Sequence, residues 1–193
     1  PLQGDYDFND VVLDYNIHLV SPDSLPASVA SMEVVTRVKA RGASYHIGFG
    51  ISLPSGVTVG SATLLSSGTT RCETVAVEPE DNATGPAFVL FDDAFSVLPP
   101  PSGCEFVNTD DPTLGPMCVA ASKEFTLHVV FSGTLPSLTL LLAGNDPNRR
   151  VSGINPFIFR DVDSEAGLRT EIHLAGFAPT SRMNTALFGT AGG

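Results

Sequence analysis

The chain contains no tryptophan and only three tyrosines among 193 residues, so it has few of the flat amphipathic rings on which sugar platforms usually rest. Its 12 phenylalanines carry no polar handle and read as core. Charge is also scarce, at 16% of residues against roughly 25% in an average soluble protein. The charge that is present is one-sided. With 21 Asp plus Glu against 10 Lys plus Arg, the formal net charge is −11, which repels phosphate backbones and argues against nucleic acid as a partner. Most of this acidity serves solubility, and a cation site needs only a few of the carboxylates. The longest apolar run, Phe125 to Leu142, is interrupted by His128, Ser132, Gly133, Pro136 and Ser137. It therefore falls short of the ~20-residue apolar span of a membrane helix, and no membrane insertion is expected.

Catalytic motifs are missing too. The four histidines, His18, His46, His128 and His173, all fall within predicted strands and are far apart in sequence. No H-x-x-x-H or H-E-x-x-H zinc spacing occurs, and there is no G-x-S-x-G elbow, P-loop or dinucleotide fingerprint. Nucleophilic and cofactor chemistry have no visible seat, so the chain is read as non-enzymatic. Cys72, Cys104 and Cys118 match no metal spacing. A Cys104–Cys118 disulfide would close a Pro/Gly-rich loop and contribute about 3 kcal/mol in the chain-entropy model, with Cys72 left free or competing. No basic segment precedes an apolar stretch at the start, and a chain opening on Pro1 reads as a processed or excised piece.

What the chain does have is strand periodicity and turn chemistry, with 18 glycines and 15 prolines. Val11 to Val20 alternates apolar with polar residues. Ser31 to Ala40 places Val34, Thr36 and Val38 on one face and Glu33, Val35, Arg37 and Lys39 on a wetter one. In Tyr45 to Leu53, Ile47, Phe49 and Ile51 alternate with Gly48, Gly50 and Ser52, and glycines inside a strand mark a bulge or a close approach. Further strands are predicted at Val57 to Leu65, Thr74 to Val77, Ala87 to Phe91, Glu124 to Phe131, Ser137 to Leu142, Phe157 to Arg160 and Arg169 to Leu174. A single helical turn is predicted near Asp92 to Phe95 and an irregular surface stretch from Pro99 to Pro116. Strands at this spacing with no dividing linker predict one all-β domain over residues 1–193, an antiparallel two-sheet sandwich of jelly-roll type.

One acidic run stands out. Asp5, Asp7 and Asn9 sit at alternate positions, Asp10 follows at once, and Gly4 precedes them. Calcium takes six to eight oxygens at ~2.3–2.6 Å, and a D-x-D-x-N run in a curled loop aims three side chains at one point, with Asp10 as fourth ligand or orienting acceptor. No helices flank the run, so it is not an EF-hand. The competing reading is a set of Asx turns ahead of a strand, with Tyr6 and Phe8 packing on the other side. A second run, Asp161, Asp163 and Glu165, is read as an exposed hairpin loop neutralised by Arg160 and Arg169, with a second cation site as the competing reading. Asp92, Asp93, Asp110 and Asp111 read as solvated loop acids, and Asn82-Ala83-Thr84 as a coincidental glycosylation match.

The segment GDYDFNDVVLDY at residues 4 to 15 resembles the opening motif of the LruC domain, a family of bacterial exported and surface proteins. Further points of resemblance follow in order: His46 to Pro54 (HIGFGISLP), Asn155-Pro156-Phe157-Ile158, Glu171-Ile172-His173-Leu174, then Pro179-Thr180 and Leu187-Phe188-Gly189. The resemblance implies an exported β-rich domain with a calcium loop and no established reaction. On a strand, Glu171 and His173 share one face and would complete the cation site from across the sheet, Glu171 more readily because calcium prefers oxygen. The competing reading is a polar outer face. The chain is thus expected to be a secreted or cell-surface calcium-binding module for adhesion or self-assembly, a filament subunit joined by strand addition in the strong form. Its partners would be copies of itself or other surface proteins. The alternative is a calcium-dependent carbohydrate-binding module.

Overall fold

Two antiparallel sheets face each other in a computed structural model that describes residues 11–42, 45–67, 72–80, 85–104, 107–109, 118–142, 153–160, 167–174 and 176–188. The larger sheet contains β1 (Val11–Val20), β2 (Ser31–Arg41), β4 (Val59–Ser67), β5 (Cys72–Ala76), the two-residue β7 (Val107–Asn108) and β8 (Glu124–Phe131). Its order is β1-β2-β8-β4-β5, with β7 pairing the far end of β2. The smaller sheet runs β10-β9-β3-β6, from β3 (Gly48–Ser52), β6 (Ala87–Phe91), β9 (Asn155–Arg160) and β10 (Thr170–His173). This is the two-sheet sandwich expected from the alternation.

The core lies between the sheets. Met32, Val34 and Val38 of β2 and Leu127 and Val129 of β8 are fully buried, and Phe49, Ile51, Phe88 and Leu90 meet them from the smaller sheet. A second, smaller apolar cluster of Ala87, Phe157 and Phe159 occupies the opposite face of the smaller sheet. The strand glycines make room for it. A β-carbon on Gly48 would lie 2.2 Å from the Phe159 ring, and one on Gly50 would lie 2.5 Å from the Phe157 ring. The register of β3 against β6 also shifts between Phe49 and Gly50, so bulge and close approach coincide here.

Four local expectations change. Ser137 to Leu142 is not a strand but a helical turn, α2 (Leu138–Leu142). Its three-leucine run has good helix propensity, and the Ser137 hydroxyl accepts from the Leu140 amide as a cap does. The other helical turn, α1 (Ala94–Val97), begins where predicted, but Asp93 is its N-cap rather than a solvated acid, accepting from the Phe95 amide at 2.8 Å. Strand β7 interrupts the stretch read as irregular, pairing Val107 with Arg41 and Asn108 with Ala40. His46 lies just ahead of β3 rather than within a strand. Cys104 and Cys118 are joined by a disulfide.

Candidate functional site

The densest cluster of ionisable side chains in the described residues lies on the outer face of the smaller sheet, beside the segment around Thr180. Strand alternation builds its floor. Asn155, Phe157 and Phe159 of β9 point to that face, as do Glu171 and His173 of β10, where Glu171 pairs with Phe159 and His173 with Phe157. Residues 182–184 run along the free edge of β10, where Met183 bridges Arg169 in parallel, and Thr180 reaches from this segment to Glu171 on the outer face. The segment is held by the amide of Arg169 donating to the Arg182 carbonyl and the amide of Asn184 donating to the Arg169 carbonyl, both at 2.8 Å.

Arg169 and Glu171 sit at the centre, each about 5% exposed. The Arg169 guanidinium forms a bidentate pair with Glu80, Nη1 to Oε1 at 2.9 Å and Nη2 to Oε2 at 2.7 Å, and its Nε donates to Glu171 Oε1 at 2.8 Å. Its carbon lies 4.3 Å from the Phe159 ring centre and 5.2 Å from that of Phe157, so the cation rests on two aromatic faces. Glu171 also accepts from His173 Nε2 and from the Thr180 amide, both at 2.8 Å, and from the Thr180 hydroxyl. Burial alone would push this carboxyl up. The donors from His173, Thr180 and Arg169 outweigh it and hold the group down to about 2, against an ordinary 4.5.

His173 stacks on Phe157, with ring centres 4.8 Å apart. The Asn155 carbonyl oxygen accepts from the Leu174 amide, so its Nδ2 points to Ser52 Oγ at 3.2 Å and to His173 Nδ1 at 2.6 Å. An amide nitrogen only donates, so Nδ1 accepts and Nε2 carries the proton toward Glu171. Ser52, Asn155, His173 and Glu171 thus form a chain, but not a nucleophile-and-base pair. Asn155 stands between the serine hydroxyl and the imidazole, and Ser52 is itself buried.

This geometry changes two site expectations. Glu171 was expected to complete a calcium site, but four protein donors already take both of its oxygens, and it acts as an internal counterion. Arg169 was expected to neutralise the acidic run at 161–165, but it is committed to Glu80 and Glu171. Asp5, Asp7, Asn9 and Asp10, along with Tyr6, Phe8, Asp110, Asp111, Asp161, Asp163, Glu165 and Asn82 to Thr84, lie outside the described residues. No local pattern points to Glu80, which reaches Arg169 across 89 positions, or to Thr180 as a donor. Pattern reading pairs residues within a strand, and these meet across loops. A smaller cluster lies at α1, where Phe95 is held between the Arg41 guanidinium, 3.7 Å from the ring centre, and the stacked His46 ring at 4.5 Å. His46 Nδ1 meets Asp93 Oδ2 at 3.0 Å.

Fold and site together define an all-β sandwich whose main polar constellation fastens the C-terminal segment to an outer sheet face. The chain belongs to the family described as Domain of unknown function (DUF4842), whose model matches residues 27–192 and so spans every residue of this constellation. No curated protein and no solved structure matches it.

Proposed function

We propose that this chain is a non-enzymatic structural module that binds calcium through Asp5, Asp7, Asn9 and Asp10 and acts outside the cell in adhesion or self-assembly. The supporting observation is that, among the described residues, the cluster richest in acid, base and hydroxyl groups is turned inward and saturated. Arg169, Glu171, His173 and Thr180, together with Glu80 and Asn155, spend their hydrogen bonds on one another, fixing the segment around Thr180 to the sandwich. Such a clamp suits a rigid building block. The calcium reading rests on the alternating acidic run, and the export reading on the resemblance to the LruC domain. No described helix is long and apolar enough to cross a membrane.

The deciding experiment is thermal unfolding of the chain in millimolar calcium and in excess chelator, with light scattering in each. A melting temperature several degrees higher in calcium supports the site, and particle growth in calcium supports assembly. Identical curves would remove calcium from the reading. The carbohydrate alternative has one supporting feature, a shallow recess of about 270 Å³ lined by Asp14, Tyr15, Asn16, His18, Val35 and Arg37. Glycan-array binding without particle growth would favour it.

A further inference from the structure

The larger sheet turns a wet face outward, and its register places an arrangement there that the sequence spacing hides. His18 of β1 is the direct partner of Glu33 of β2, and Glu33 is the direct partner of His128 of β8. The three stand side by side in one row across three adjacent strands, on the face opposite the buried Val34 and Leu127. We propose that His18, Glu33 and His128 bind a divalent transition-metal ion of the zinc, copper or nickel type. Its residues are not those of the calcium run, and its chemistry is different.

The donor set fits such an ion. Two imidazoles and one carboxylate suit zinc, copper and nickel, whereas calcium prefers oxygen alone. The spacing fits too. Neighbouring strands lie ~4.7–4.9 Å apart, so the two histidines flank the glutamate at roughly twice that separation. Cross-strand partners hold their β-carbons ~4.5–5.5 Å apart, close enough for both rings to lean over Glu33 and meet a metal at ~2.0–2.2 Å. His18 is exposed, while Glu33 and His128 are half-buried. No hydrogen bond or ion pair engages any of the three among the described residues, so no existing bond opposes their turning. As they stand, the side chains are not gathered round one point. Binding would draw them together by rotation of their side chains.

The surroundings favour a cation over the row. Arg37, two residues further along the outward face of β2, is paired with Glu124 at 2.6 Å and does not neutralise Glu33. The next residue across the row, Thr63 of β4, adds a hydroxyl rather than a charge. The recess lined by Asp14, Asn16, His18, Val35 and Arg37 opens beside the row and leaves room for water or another donor to complete the ion's shell. The histidines are 110 residues apart in the chain, so no local zinc pattern would reveal them; only the β1-β2-β8 order brings them together.

The test is calorimetric titration of zinc chloride into the full chain in saturating calcium, comparing the native protein with His18→Ala, Glu33→Gln, His128→Ala and Asp7→Ala. Imidazole resonances are followed by NMR. The expected result is one equivalent of zinc, weakened at least about tenfold by each of the first three variants and unchanged by Asp7→Ala. The ring signals of His18 and His128 should shift at one equivalent, and those of His46 and His173 should not. Equal affinity in the native chain and the His18→Ala/His128→Ala double variant would overturn the proposal, as would ring shifts confined to His46. Unchanged melting of the variants without zinc checks their folding, and His128→Gln serves if His128→Ala misfolds. Zinc binding without any calcium effect would sink the calcium reading alone.

Discussion

Arg169 and Glu80, 89 positions apart, meet in a bidentate pair at 2.7 and 2.9 Å, with the guanidinium only 5% exposed. The pair ties the segment after β5 to the start of β10. Through Glu171 it continues to Thr180. One cation therefore links the segment after β5, the start of β10 and, through Glu171, the segment around Thr180.

Replacing that cation should cost more than removing an ordinary surface charge. Arg169→Met leaves the Glu171 carboxylate buried without its guanidinium, a change that typically costs about 3–5 kcal/mol. Denaturant unfolding should show a midpoint shift of that size, and proteolysis should first cut the segment at 176–188. A loss below about 1 kcal/mol would mean the network contributes little to the fold.

Acid should weaken the protein through Glu171. Its folded-state value of about 2 lies below the ordinary 4.5, so its contribution is fully present above pH 4.5 and is lost as pH falls toward 2. The contribution at neutral pH is on the order of 3 kcal/mol. Glu171→Gln should lower stability at pH 7 and flatten the acid limb between those limits. If native and variant proteins lose stability in parallel on acidification, Glu171 is not the group responsible.

Gly48→Ala would drive a methyl group into the Phe159 ring, 2.2 Å from where the new carbon must sit. Overpacking of this kind costs about 1–3 kcal/mol. Phe159→Leu in the same chain should return part of that loss, so the two changes should be clearly non-additive in a double-mutant cycle. Strict additivity would show that the ring moves aside freely.

Asp7→Ala should lower the melting temperature in calcium and do little in chelator. A ligand at 100 times its dissociation constant adds ~2.7 kcal/mol to the folded state, and loss of a ligating oxygen removes part of this. Equal losses in the two conditions would show that Asp7 does not act through the cation.

Much of the architecture was legible in the chain because strand alternation is a local property. Val34, Thr36 and Val38 are buried while Arg37 is exposed, as their positions require, and Ala87–Phe91 and Glu124–Phe131 begin and end where the pattern places them. The leucines at 138–142 were the exception. A short apolar run fits a buried strand or a helical turn equally well, and the Ser137 cap tips the balance.

By itself, then, the sequence determined which residues avoid water, and so the two-sheet class and the faces of its strands. It also placed Glu171 and His173 on a common face, since residues two apart on a strand must share one. Only the tertiary structure decided what that face meets. The Arg169–Glu80 pair, the Thr180 donors on Glu171 and the His18–Glu33–His128 row depend on strand order, register and the path of the segment around Thr180. These are settled by packing among residues far apart in the chain, which no local period encodes.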